Sequence, residues 1–229
     1  MGPDAELVAA VRAALASAGE PQRAADQQRY MKSEMPYCGI SSPDLAALLR
    51  PLLRSWDPGG RDAWEATVRA LWDGATHREE WYAALAVARH RRARPWLDAG
   101  SLELSRHLVV TGAWWDVVDV VAVHLVGVAL RADRAAVTPV VRAWAGDEHL
   151  WLRRTAVLCQ VGARDQVDPD LLRHAVETNL DDASFWLRKA IGWALRDRAR
   201  TDPAWVRAEV DRLGDRLSTL ARREATKHL

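Results

Sequence analysis

Apolar positions recur at helical spacing along most of the chain. Leu45, Leu48, Leu49 and Leu52 follow one another at steps of three and four, and Val117, Val118, Val121 and Leu125 repeat the pattern. Strand-like alternation is almost absent. Three pairs, Ser42-Pro43, Asp168-Pro169 and Asp202-Pro203, read as a capping residue followed by proline at the first helical position. Breaks are expected near Gly19-Glu20-Pro21, Asp57-Pro58-Gly59-Gly60, Arg94-Pro95 and Gly146-Asp147. The pattern predicts roughly a dozen helices of about ten to eighteen residues, joined by short connections. No sharp repeat is visible. Paired helices of this size nevertheless fit an all-α, degenerate HEAT-like array, in which neighbours bury a continuous core. Such an array curves into a superhelix whose concave face is a cleft for an extended partner. No linker demands a second domain, so one domain is expected over residues 1–229.

Composition narrows the class. A chain of 229 residues can bury one good core or two small ones. Hydrophobic residues at 49% and charged residues at 28% argue against wholesale disorder. Large aromatic surface is carried by 12 Trp against 3 Tyr and 1 Phe, and most of these Trp are expected to pack between helices. The formal charge of +1 gives no global electrostatic argument for nucleic acid. The cations are nearly all arginine, with lysine only at Lys32, Lys189 and Lys227. Arginine forks suit phosphates, although an arginine- and alanine-rich chain equally fits genomic base composition. Local groups matter more: residues 89–94, Arg153-Arg154, Arg196 with Arg198 and Arg200, and Arg222-Arg223 with Lys227.

Cys38 and Cys159 stand alone, which indicates neither a zinc site nor a disulfide framework. The acidic N-terminal residues lack the apolar core of a signal peptide, and Glu6 occupies the place where a myristoylation motif needs Ser or Thr. No apolar run reaches membrane-spanning length. A cytoplasmic protein with no membrane partner is expected, monomeric by default for this architecture. The histidines show no metal-ligand spacing, and no P-loop, GxGxxG or GxSxG occurs, so no metal and no cofactor are expected.

Four segments carry candidate chemistry. The first is Trp114-Trp115-Asp116-Val117-Val118-Asp119, with Thr111-Gly112 read as the start of its helix. Trp115 and Asp119 are four apart, so they share one face. An aromatic wall beside a carboxylate suits a flat or cationic target, or one that becomes positive during reaction. In the second, Trp151 and Arg154 share a face at a spacing of three. In the third, Trp186, Lys189, Gly192, Trp193 and Arg196 lie on one helix, where a glycine suggests close approach by a neighbouring helix or a partner. The fourth, residues 30–40, offers Tyr30 and Lys32 before a turn. Taken alone, the second and third segments are equally explained by packing, and the first and fourth are better explained by it. Together, on separate helices, they could line one groove.

These residues resemble the AlkD-like DNA alkylation repair glycosylases, which are built from HEAT-like repeats. The likeness runs through Tyr30-Met31-Lys32 with Gly39-Ile40, Trp114-Trp115-Asp116 with Val118 and Asp119, and Trp151-Leu152 with Arg154 and Gln160. It continues through residues 189–193 with Leu195-Arg196, and through Arg223-Glu224-Ala225 with Lys227-His228. The resemblance implies excision of positively charged N3- or N7-alkylated purines, such as 3-methyladenine and 7-methylguanine, from duplex DNA. It implies that Asp119 is the catalytic carboxylate and that Trp115 and Trp193 flank the deoxyribose. Arg154 and Arg196 would hold the DNA backbone, with Tyr30, Lys32, Trp114 and Lys189 as further DNA contacts. The near-neutral charge departs from what such a protein would favour. Two rival readings remain: a noncatalytic relative that binds unusual or branched DNA, and a HEAT-like protein-interaction scaffold whose Trp residues only pack.

Overall fold

The structure is a computed structural model that describes residues 2–229. Fourteen α-helices and no strand occur among the described residues, so the chain is all-α. The helices fall into two compact units that divide between Trp96 and Leu97.

The first unit holds α1 (Ala5–Ala18), α2 (Pro21–Met31), α3 (Ser42–Arg54), α4 (Arg61–Asp73) and α5 (Arg78–Ala88). Helix α1 packs against α3, α4 and α5, and α4 lies along α5. Leu7, Val11 and Leu15 of α1, with Trp64, Val68 and Leu71 of α4, are buried there. Leu45 and Leu49 of the predicted α3 stripe are buried as well, while Leu48 and Leu52 are only partly covered. Helix α3 is capped one residue earlier than expected: the Ser41 hydroxyl accepts from the Asp44 amide, leaving Ser42 and Pro43 inside the first turn. The helical content also does not stop at Arg94-Pro95. Helix α5 ends at Ala88, and Pro95 lies in a 3₁₀ turn, Arg91–Trp96.

The second unit, Leu97–Leu229, runs through nine further helices. They are α6 (Leu102–Gly112), α7 (Trp115–Val121), α8 (Gly127–Ala132), α9 (Arg134–Ala145), α10 (Leu150–Leu158), α11 (Pro169–Thr178), α12 (Phe185–Ala199), α13 (Pro203–Leu213) and α14 (Thr219–Ala225). Asp168 caps α11 and Asp202 caps α13 through their carboxylates, as the Asp-Pro pairs predict. Helix α10 is central: it packs against α6, α7, α9, α11 and α12, and α12 in turn packs against α13 and α14. Leu152 and Leu158 of α10 and Leu187, Ile191 and Leu195 of α12 are buried at these contacts.

Thr111 and Gly112 do not open the Trp115 helix. They finish α6, where Thr111 bonds back to the His107 carbonyl. Ala113 then adopts the left-handed conformation (φ 37°, ψ 36°) and donates to the Val109 carbonyl, which ends that helix. Trp114 is extended, and α7 begins at Trp115. A π-helical turn, Ala122–Val126, joins α7 to α8 and begins three residues after Asp119. Among the described residues no helix is long and apolar enough to cross a membrane.

Candidate active site

Asp119 lies on α7 and Arg154 on α10, two helices in contact. Their side chains meet as a two-pronged ion pair: Arg154 Nε donates to Oδ1 and Nη2 to Oδ2 of Asp119, each at 2.7 Å. Arg154 Nη1 donates to the Trp186 carbonyl at the start of α12, so one guanidinium ties three helices together. Its side chain is 4% exposed against 15% for Asp119, which leaves the carboxylate as the solvent-reachable partner. Burial pushes the Asp119 carboxyl above its ordinary value, Arg154 pulls it back, and the charge of Asp116 adds to the rise. Each carboxylate oxygen keeps a lone-pair direction that Arg154 does not use.

Beside the pair stand three indoles. Trp114, Trp151 and Trp186 have ring centroids 5.9, 5.2 and 5.6 Å apart, and Phe185 packs edge-on to Trp186 at 5.3 Å. Trp114 is thereby committed to packing, and its buried indole N–H has no partner. Phe185, by contrast, is 56% exposed at the edge of this cluster. Trp115 is half-buried on α7, one turn from Asp119.

Helix α12 carries a stripe of Trp186, Lys189, Trp193 and Arg196 at steps of three and four. Trp193 is half-buried. Lys189 and Arg196 both bond to Glu224 of α14. That helix comes so close that a Cβ on Gly192 would stand 2.6 Å from Glu224 Cβ and 3.0 Å from the Ala221 carbonyl. Gly192 is therefore explained by a neighbouring helix, one of the two options its position suggested.

Tyr30 and Lys32 belong to the first unit. Tyr30 is 78% exposed at the end of α2, and Lys32 caps that helix in the left-handed conformation. The turn that follows is built around Glu79, whose buried carboxylate accepts from the amides of Cys38, Gly39 and Ile40. Gly39 has φ +87°, and a Cβ there would stand 2.0 Å from the Glu20 carbonyl oxygen. Burial, then the charges of Glu79 and Glu80, push the Cys38 thiol up to about 11, which disfavours its thiolate at neutral pH.

Asp119, Arg154, Trp114 and Trp186 thus form one cluster with Trp151. Lys189 and Arg196 form another around Glu224, and α12 is common to both. Nothing in the sequence assigns a role to Glu79 or Glu224: both are acidic residues in helical segments, where nothing in the spacing separates a buried anchor from a solvated charge. Arg153 had a visible signal and a different fate: it bonds the Asp147 and Glu148 carbonyls and pairs with Asp182 at 2.8 Å, pinning loops. Gln160, part of the resemblance, clamps the backbone of Asp168 through both ends of its amide.

The all-α fold agrees with what comparison shows. A family model described as "DNA alkylation repair enzyme" matches residues 11–229. A solved structure described as a predicted DNA alkylation repair enzyme from Enterococcus faecalis is 29% identical, with a TM-score of 0.81 over 92% of this chain and 96% of that one. No curated protein matches the chain. The chain belongs to the DNA alkylation repair enzyme family.

Proposed function

We propose that the protein is a monofunctional DNA glycosylase that hydrolyses the N-glycosidic bond of positively charged N3- or N7-alkylated purines in duplex DNA, the whole chain serving as one glycosylase domain. The observation that carries this reading is the partly exposed Asp119 carboxylate held on both oxygens by a buried arginine beside a wall of indoles.

Alkylation places a positive charge on the purine, so the base departs as a neutral molecule without protonation by a general acid. What remains is a deoxyribose that grows oxocarbenium-like as the bond breaks. Asp119 offers the negative charge that stabilises it, and an unused lone-pair direction can orient the water that adds to the anomeric carbon. Arg154 acts through Asp119: it favours the ionised carboxylate against burial and fixes its rotamer. Trp114 supports the same wall through packing, while Trp115 and Trp193 take the places flanking the sugar. An indole face is worth about 1–2 kcal/mol to a desolvated cation. Lys189 and Arg196, with Tyr30 and Lys32, serve as sequence-independent backbone contacts. Lys189 is no base-displacing nucleophile in this scheme, since its ammonium is hydrogen-bonded to Glu224.

The test is release of free base from methylated duplex DNA by the wild type beside Asp119→Asn. The wild type should release 3-methyladenine or 7-methylguanine. The variant should lose about 10²–10³-fold in single-turnover rate, the size expected when one electrostatic stabiliser is removed, while still binding duplex. Equal rates would remove Asp119 from the catalytic role. Duplex binding without release by either protein would favour the noncatalytic reading.

A further inference from the structure

Glu224 is 2% exposed and takes part in three ion pairs at once. Lys189 Nζ and Lys227 Nζ donate to the same oxygen, Oε1, at 2.9 and 2.8 Å, and Arg196 Nη1 donates to Oε2 at 2.7 Å. Two ammonium groups sharing one acceptor stand within two hydrogen-bond lengths of each other. Their repulsion is offset only in part by a single carboxylate, because three cations around one anion leave a local charge of +2. The cations are also the reachable side of the group: Lys189, Lys227 and Arg196 side chains are 40%, 46% and 26% exposed, whereas the carboxylate is enclosed. Each ammonium uses one of its three donors on Glu224, and Arg196 keeps most of its fork free. An inner anion thus fixes an outer ring of unspent donors and uncompensated charge. The close approach of α14 to Gly192 holds the Glu224 backbone against α12, between Lys189 and Arg196. Lys189 and Lys227, moreover, are two of only three lysines in the chain.

We propose that Lys227, aligned with Lys189 and Arg196 by the buried Glu224, binds a DNA backbone phosphate, and that Glu224 is the positioning residue of this clamp. The inference rests on the DNA-binding part of the reading above and not on its chemistry. A phosphodiester supplies the second anion that the three cations lack, and it carries no sequence information, as a repair enzyme for scattered damage requires.

The experiment is binding of an unmethylated duplex to the full chain over a range of salt concentrations, so that no excision is involved. For each phosphate that is no longer neutralised, the slope of log affinity against log salt should flatten by about 0.9. Lys227→Gln, confirmed folded by its melting curve, is expected to weaken binding and flatten the slope by about that amount, and Lys227→Arg to restore both. Glu224→Gln provides a test of sign. Removing a negative charge from a bare cationic surface would tighten binding, whereas misalignment of the cations weakens it, and weakening is the expected result. An unchanged slope in Lys227→Gln, or tighter binding by Glu224→Gln, would overturn the proposal and leave the group a structural ion cluster. Stabilisation of the wild type by inorganic phosphate, with no slope change in Lys227→Gln, would reassign the site to a free anion and overturn it equally. Retained slope effects without any base release would sink the glycosylase reading alone.

Discussion

Asp119 and Arg154 form an unequal pair, one partner nearly enclosed and the other open at its rim. Truncating Arg154 leaves a carboxylate in a desolvated place with no counter-charge, and breaking a buried pair from one side costs on the order of 3 kcal/mol. Arg154→Ala should therefore be destabilised by that amount in denaturant, and lose excision through Asp119 rather than through a simple drop in duplex affinity. Lysine should rescue poorly, since it cannot reproduce the two-pronged geometry or reach the Trp186 carbonyl at the same time. The raised pKa of Asp119 sets a sign for pH dependence. If the ionised form is the working one, excision fails on the acid side, at a pH above the ordinary aspartate range. Asp116 contributes to the rise, so Asp116→Asn should move that acid limb to lower pH, measured as single-turnover rate against pH with enzyme in excess.

Elements place these residues through a few close approaches. Helix α12 meets α10 on one side and α14 on the other, and Gly192 is the point where α14 comes nearest. An alanine there gains about 1 kcal/mol of helix propensity. It also meets backbone and Cβ atoms that have no flexible end to swing away. Overpacking should win, with Gly192→Ala destabilised by about 1–3 kcal/mol in equilibrium unfolding and the Glu224 clamp displaced with it. In the first unit the turn after α2 depends on Gly39 and the Glu79 carboxylate in the same way. The terminus of α6 shows why element boundaries misread. Thr111-Gly112 looks like a start because a small polar pair before tryptophans matches a capping signal. The signal that decides is Ala113 in a left-handed conformation, which no propensity favours for alanine and which only the surrounding packing imposes.

For the molecule as a whole, acid is the informative stress. Glu224, held by Lys227 and Lys189, is lowered to about 2, and Glu209, with Arg173 and Arg212 outweighing its burial, is lowered too. A carboxylate with a lowered folded pKa adds stability that is complete above its unfolded value and disappears as pH falls through the folded one. Stability should therefore begin to decline below about pH 4.5, the ordinary glutamate value, and continue falling towards pH 2. Glu224→Gln should flatten that decline in melting temperatures recorded across the range.

The all-α class was legible in the spacing of apolar residues, since a period near 3.6 is a local property that survives whatever the helices later pack against. The Asp-Pro caps at α11 and α13 were legible for the same reason. Asp119, Arg154 and the α12 stripe could be picked out because tryptophans beside charges are rare enough to stand out. Their relations could not. That Arg154 spends its fork on Asp119, that Trp114 belongs to a packed triangle, and that one buried glutamate gathers three cations are facts about residues at least 28 apart in the chain for every pair but Glu224 with Lys227. Such pairings follow from which helix faces meet, and that is settled by the burial of whole faces at once. Local periodicity sets which segments are helical and which kinds of side chain they offer. The tertiary structure decided which of those charges are anchors, because a charge becomes one only where packing removes its water and supplies a partner.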